Sequence, residues 1–335
     1  MGRVLVTGAS GFIGSFVVEE ALRRGLETWA GVRKSSSRKN LQANGIKFIE
    51  LDFSDKEELT ASLLRQKEEV GAFDTIIHCA GVTKCLSSVD FERVNYEQTK
   101  IFVEQLIELK LVPKQFIFVS TLSVYGPIRE KDYTEIRTSD PTSPNTAYGK
   151  SKLKTENYLR SLTDFPYLIF RPTGVYGPRE KDYFLMAKSI KSGVDFSVGF
   201  RKQELTFVYV KDLVQAIFKG VEKGITRRAY FVTDGETYAS RDFSDLIQRE
   251  LGKKWVIRIK APLILLKVIS LCAEFLSRLT RRPSTLNLDK YKIMKQRNWR
   301  CDLSNTVEEL GYTPEYNLER GVNETITWYK KEGWL

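Results

Sequence analysis

The opening residues constrain this chain more than any other stretch. A short apolar strand, Val4-Leu5-Val6, runs into Thr7-Gly8-Ala9-Ser10-Gly11-Phe12-Ile13-Gly14 and then into a helical pattern over 16–24. Glycines at this spacing serve a tight turn, close approach of a ligand to bare backbone, and close helix-to-strand packing. Three glycines alone are weak, because loops are rich in glycine. Here a strand precedes the turn, a helix follows, and a second strand comes at 27–32, which is the context a dinucleotide-binding turn requires. A pyrophosphate would rest on the helix N-terminus, where free N–H groups and the positive end of the dipole converge.

Apolar strands then alternate with amphipathic helices: strands near 3–7, 27–32, 46–50, 74–79, 114–119 and 167–171, helices near 12–24, 55–70, 91–109 and 147–162. Such alternation predicts an α/β fold, a doubly wound parallel sheet covered on both faces, with ligands at the carboxyl ends of its strands. Those ends carry Arg33, then Asp52 and Phe53, then Cys79-Ala80-Gly81, then 120–123, then Arg171-Pro172. The long loop 122–147 exceeds what a connection needs and reads as a lid. Beyond 172 the alternation weakens, and strand candidates at 195–198, 206–210, 229–232 and 256–259 predict a smaller C-terminal α+β lobe. The division is therefore a nucleotide-binding domain over 1–172 and a substrate lobe over 173–335, with segments near 205–222 returning to the first domain.

Charge and cysteines narrow the function. The net charge of +11 is dispersed, which argues against nucleic acid and fits solubility plus attraction for an anionic cofactor. Cys79, Cys85, Cys272 and Cys301 show no paired spacing, and with His78 as the sole histidine no metal site is expected. A reduced, cytoplasmic protein with no signal peptide fits. His78 is also the one residue on which a Ser-His or Cys-His hydrolytic scheme would rest.

The most apolar segment, 263–282, is interrupted by Lys267, Glu274 and Arg278, which share a helical stripe with Ser270 and Arg281. That pattern predicts an amphipathic core helix of the second lobe; the alternative is a peripheral membrane contact through an interfacial helix ending in Arg281-Arg282.

A second constellation, Tyr148-Gly149-Lys150-Ser151-Lys152, opens a helix, so that tyrosine and lysine four apart share a face. A nearby ammonium, with an oxidised nicotinamide ring adding positive charge, favours phenolate and is expected to pull the Tyr148 pKa down toward working pH, making it a general acid/base. A hydroxyl near Thr121 would hold the substrate oxygen.

Together, Thr7-Gly-x-x-Gly-x-x-Gly14, the hydroxyl triplet before Val124-Tyr125-Gly126, Tyr148-x-x-x-Lys152 and Arg171-Pro172-x-x-Val175-Tyr176-Gly177-Pro178 resemble the extended short-chain dehydrogenases/reductases, the NAD-dependent epimerase/dehydratase family. The resemblance runs over nearly the whole chain. It implies Thr121 as catalytic hydroxyl, with Ser120 and Ser123 as competitors, Tyr148 as acid/base and Lys152 as holder of the nicotinamide ribose. It implies cofactor contacts from Gly8, Ser10, Gly11, Phe12, Ile13 and Gly14, from Asp52 and Phe53 at adenine, from Cys79, Ala80 and Gly81 at the pyrophosphate, and from Pro172, with Asn95 as a structural asparagine. A homodimer packed through helices near 91–109 and 147–162 is implied as well.

Where an NAD enzyme of this kind places an acid, this chain has Arg33-Lys34, which suits a 2′-phosphate; NADP is expected over NAD, with NAD the alternative. Nucleotide-sugar members carry an asparagine where this chain has Gly174, and often Arg-Asp where it has Leu205-Thr206. The Arg-Pro-Thr-Gly form is closer to the dihydroflavonol reductase and 3β-hydroxysteroid dehydrogenase branches. The expectation is hydride transfer between nicotinamide and an alcohol or carbonyl carbon of a small, apolar substrate, with 263–279 and Phe184, Leu185 and Met186 walling its pocket. The alternatives are a nucleotide-sugar epimerase or dehydratase with transient oxidation, and a cofactor-binding protein without catalysis.

Overall fold

The computed structural model describes residues 2–280, 284 and 286–335, with the Arg278 side chain left aside. Arg281 and Arg282, expected to end the apolar segment, lie outside the described residues.

The first half alternates as expected: β1 (Arg3–Thr7), α1 (Phe12–Arg23), β2 (Glu27–Val32), β3 (Lys47–Glu50), α2 (Lys56–Glu69), β4 (Thr75–His78), α3 (Ser88–Glu92), α4 (Gln98–Glu108), β5 (Gln115–Val119), α5 (Ala147–Ser161) and β6 (Tyr167–Pro172). Between α3 and α4 the chain makes a π-helical turn, Arg93–Glu97. The second half carries β7 (Gly174–Tyr176), α6 (Asp182–Lys191), β8 (Val194–Val198), β9 (Phe207–Tyr209), α7 (Val210–Glu222), β10 (Arg228–Val232), α8 (Asp242–Glu250), β11 (Ile257–Ala261), α9 (Leu263–Thr280), α10 (Leu288–Lys295), α11 (Ser304–Leu310) and α12 (Leu318–Lys331).

Seven parallel strands form the main sheet in the order β10-β6-β5-β4-β1-β2-β3. The order reverses at β1 and β4, and such a switch point opens a crevice at the strand ends. Strands β4, β5 and β6 are buried along their length, as a sheet covered on both faces demands.

Two segments depart from the sequence reading. The strand at 228–232, expected in the smaller lobe, pairs with β6 and forms the edge of the main sheet. Just before it α7 packs on α1, with Leu213 and Ile217 in one core with Val17 and Ala21. The loop after β5 is no lid. Ile136 is buried and bridges Cys301, Arg129 grips Asp140 with two hydrogen bonds (3.0 and 2.6 Å), and the Tyr125 hydroxyl donates to the Thr138 carbonyl at 3.2 Å. These contacts brace the segment within itself at two points and tie it to Cys301 at a third.

The second lobe has its own aromatic core, in which Tyr176, Phe207, Phe243 and Tyr329 pack together with α12. Phe184 and Met186, expected to wall a pocket, belong to this core; the Phe184 ring lies 5.0 Å from Trp334, while Leu185 is exposed.

Candidate active site

The turn after β1 forms as its glycines require. Gly8 sits at φ 64, in the left-handed region, and a Cβ there would lie 2.6 Å from the Ala80 nitrogen. A Cβ on Gly14 would run into the Gly8 carbonyl oxygen. Gly11 begins α1 with no side chain capping its first amides. Bare backbone and an uncapped helix N-terminus fit a pyrophosphate, and a side chain at Gly8 or Gly14 would fill the cradle.

The same packing brings the end of β4 to α5. A Cβ on Gly81 would sit 3.3 Å from Lys152 Nζ and 2.9 Å from the Asn95 carboxamide oxygen. The Asn95 side chain accepts from the Val82 N–H (2.8 Å) and donates to the Val82 carbonyl (3.1 Å) and to Ser151 (3.0 Å). It stands on the π-helical turn, whose irregularity turns this side chain back onto the β4 loop.

Lys152 is buried beneath that loop, donates to the Val119 carbonyl at 2.9 Å, and lies 4.6 Å over the Phe118 ring. Burial pushes its pKa down to about 8, with the Cys79 and Glu156 side chains acting the other way. A lysine ammonium has three donors, so Val119 leaves two for a ligand such as a ribose diol.

Tyr148 stands one turn earlier, its ring 6.1 Å from Phe91. Burial pushes its pKa up to about 12, against a hydrogen bond with the Thr121 hydroxyl. In the protein alone, loss of water around the phenol outweighs its hydrogen bond to Thr121; the positive charge of an oxidised nicotinamide, part of the same expectation, acts in the opposite direction. Of the hydroxyls at the end of β5, Thr121 is the one that meets Tyr148. Ser120 donates to Glu156 at 2.6 Å, and the Ser123 N–H donates to Thr121 Oγ1 at 3.1 Å.

Glu156, which motif reading passed over, is a buried partner of this group. It accepts from Ser120 and from Arg171 through Nε (3.0 Å) and a terminal nitrogen (2.5 Å), and Arg171 also donates to the Tyr125 hydroxyl at 2.5 Å. Tyr148, Lys152 and Glu156 fall four apart on one face of α5, and that spacing was the available signal.

Just after β3, Asp52 accepts from the Ser54 hydroxyl (2.6 Å) and N–H (2.9 Å), which hold its carboxyl below the usual range, aided by Arg33. Phe53 lies against Phe102 (4.9 Å) and His78 (5.8 Å). Arg33 and Lys34 are exposed at the end of β2, in a turn closed by the Ser36 N–H on the Arg33 carbonyl at 2.9 Å. His78 is structural. Its ring nitrogens bond Thr7 (2.8 Å) and Thr99 (3.0 Å), and burial drops its pKa to about 3. The half-buried Cys79 thiol is pushed up to about 12 by the loss of water around it. No cluster of three or more metal-ligating side chains occurs among the described residues.

The second lobe closes over this crevice. Asp182, at the start of α6, pairs with Lys84 from the β4 loop and with Lys290 of α10 (3.1 Å). Burial opposes its charge, but the two ammonium groups hold it below the usual carboxylate range. Asp289 accepts the Tyr148 N–H at 3.1 Å. A cavity of about 180 Å³ lies between Cys85, Phe91, Glu274, Leu288 and Asp289. A larger groove of about 590 Å³, beside Asp245 and Arg249, shares no residue with it.

Behind Gly174, where nucleotide-sugar members carry asparagine, the space is filled. A Cβ there would lie 2.7 Å from the Tyr183 hydroxyl and 3.1 Å from Phe207, and the Tyr183 ring is stacked on Phe243 at 4.6 Å.

Comparison with known proteins gives the family. The mouse protein named dTDP-D-glucose 4,6-dehydratase is 26% identical, over 98% of this chain and 89% of its own length. The Dictyostelium discoideum protein named sterol-4-alpha-carboxylate 3-dehydrogenase, decarboxylating, is 25% identical, over 97% of this chain and 100% of its own. The crystal structure of a Bacillus anthracis dTDP-glucose 4,6-dehydratase in complex with NAD superposes with a TM-score of 0.77 at 19% identity, covering 100% of this chain and 98% of that one, and shows the shared fold. A profile of the NAD dependent epimerase/dehydratase family matches residues 4–232, and the chain belongs to that family.

Proposed function

We propose that this protein is an NADP-preferring oxidoreductase acting on an alcohol or carbonyl carbon of an apolar substrate. The redox reading is carried by the hydrogen bond between Thr121 and Tyr148 beside the buried Lys152. When bound, the nicotinamide cofactor supplies or accepts the hydride. Lys152 would hold its ribose, and the Gly8–Gly14 turn its pyrophosphate. Thr121 holds the substrate oxygen. Tyr148, protonated at neutral pH, donates its proton to that oxygen as the carbonyl is reduced, and takes it back in the other direction.

Arg33 and Lys34 support NADP, since two cations at the end of β2 suit a 2′-phosphate where an acid would grip free ribose hydroxyls. Tyr183 behind Gly174 supports an apolar substrate, because the room an asparagine would need for a sugar diphosphate is taken. The name of the Dictyostelium relative, a sterol dehydrogenase, points the same way. A homodimer through α4 and α5 and a cytoplasmic setting remain part of this reading.

A second reading, favoured by the name of the mouse relative, is a nucleotide-sugar dehydratase or epimerase in which the hydride returns within one turnover. A thermal-shift screen with NADP present, setting UDP-, GDP- and dTDP-sugars against ketosteroids, flavonoids and small aldehydes, separates the two. The proposal expects stabilisation by an apolar ketone and, in an assay supplied with NADPH, net consumption of the cofactor with that ketone. Stabilisation by a sugar nucleotide with no net change in the nicotinamide band would replace it with the second reading.

A further inference from the structure

Helix α9 is built inside out. Its inner face carries Leu266, Ser270, Glu274 and Ser277: Ser270 is fully buried, and Glu274 accepts the Leu288 N–H at 3.4 Å. Its outer face carries Ile264 (80% exposed), Val268 (51%), Phe275 (64%) and Leu279 (66%). At 3.6 residues per turn these four fall within an arc of about 60°. A surface helix ordinarily turns its apolar stripe to the core, so the expectation of a core helix is overturned: this stripe faces outward.

The strand pair leading into α9 repeats the inversion. In its parallel register Asp195 pairs with Arg258 and Phe196 with Ile259. Asp195 is buried against Arg241 (2.9 Å), and the exposed Arg258 reaches Asp245 of α8 (2.9 Å), so the polar positions lie on the face turned to α8. Phe196, Ile257 and Ile259 stand on the other face, exposed, and Trp255 just before them is 73% exposed. Gly199, at the end of β8, packs against Leu263, joining strand pair to helix.

Charge identifies the occupant. Apart from Arg258, which is paired with Asp245 on the other face, residues 251–273 carry the cations Lys253, Lys254, Lys260 and Lys267 and no acid. The next acid, Glu274, is turned inward. No helix among the described residues is long and apolar enough to cross a membrane. A wide apolar face with cations around it and an exposed tryptophan beside it is the make-up of a helix lying in the headgroup region of an anionic bilayer.

We propose that α9 and the outer face of the β8–β11 pair dock this protein on an anionic lipid surface. Docked so, the cavity lined by Glu274 and Ser277 lies one helix diameter, about 10 Å, from the lipid.

The test is flotation of the full chain with mixed phosphatidylcholine–phosphatidylglycerol vesicles and with phosphatidylcholine alone. The wild type is expected to float with the mixed vesicles and to be released by salt. Phe275→Glu with Leu279→Glu, both exposed, is expected to weaken binding roughly tenfold or more at unchanged thermal stability, and Lys253→Glu with Lys267→Glu to weaken the mixed-vesicle binding alone. Absence of wild-type binding at low salt, or wild-type binding by the double glutamate variant, would overturn the proposal. A dimer in solution that the same variant splits would assign the face to a second copy of this chain instead.

Discussion

The carboxylate of Asp289 accepts the backbone N–H of Tyr148 at 3.1 Å, so that α10, from the second lobe, completes the N-terminus of the helix that carries the proposed acid. Thr146 already caps Gly149 (3.0 Å), and the Tyr148 amide is the next donor that a helix leaves unpaired. Replacing Asp289 by alanine should lower kcat severalfold, leave cofactor affinity unchanged, and cost about 1 kcal/mol of stability. Asp289→Asn keeps the acceptor and should restore both. Steady-state kinetics beside denaturant melts of the two variants check this; equal losses in both would show that the cap is irrelevant.

Glu156 and Arg171 form a buried pair at 2.5 Å. Removing one partner strands the other's charge in a dry site. Glu156→Gln is expected to destabilise the fold by about 3 kcal/mol, read as a lower urea midpoint at unchanged slope. A loss well under 1 kcal/mol would mean that water reaches Arg171.

Lys152 ties stability to pH. Its ordinary value of 10.5 falls to about 8 on folding, so between those values the unfolded chain binds more protons and stability rises with pH. Below about pH 8 the penalty for burying the charge is fully present. Against Lys152→Met, which lacks the group, the wild type should therefore gain on the order of 3 kcal/mol as pH rises through this window. Paired urea titrations across the window would show it, and parallel curves would contradict it.

Cofactor choice rests on Arg33. Arg33→Asp should weaken NADPH binding by roughly tenfold to a hundredfold, the worth of one or two charge-assisted hydrogen bonds, while NADH binding holds or improves. Fluorescence titration of both cofactors decides it. A loss shared equally by the two would mean that Arg33 merely packs on adenine.

Much of the site was legible in local spacing. Thr121 was singled out from Ser120 and Ser123 only by the family resemblance, whereas the glycine turn and the pair Tyr148 and Lys152 can be read locally because each depends on a few neighbouring residues. What escaped depends on distant ones. Asp289 lies 141 positions from Tyr148, and β10 joins the main sheet by pairing with β6, a partner far back in the chain. The burial that raises the Tyr148 pKa in the protein alone is likewise invisible in the spacing, which shows only the nearby ammonium. Helix α9 misled for a different reason: periodicity reveals two faces and says nothing about which one turns inward.

The account turns on Tyr148 as the proton donor of a hydride-transfer site. Once the substrate screen supplies a turned-over compound, the most direct measurement compares wild type with Tyr148→Phe in NADPH consumption and in NADPH affinity. The account predicts a fall in kcat of about a hundredfold or more with affinity nearly unchanged, since the phenol hydroxyl acts on the substrate oxygen and Lys152 on the cofactor. Wild-type turnover in Tyr148→Phe would contradict it.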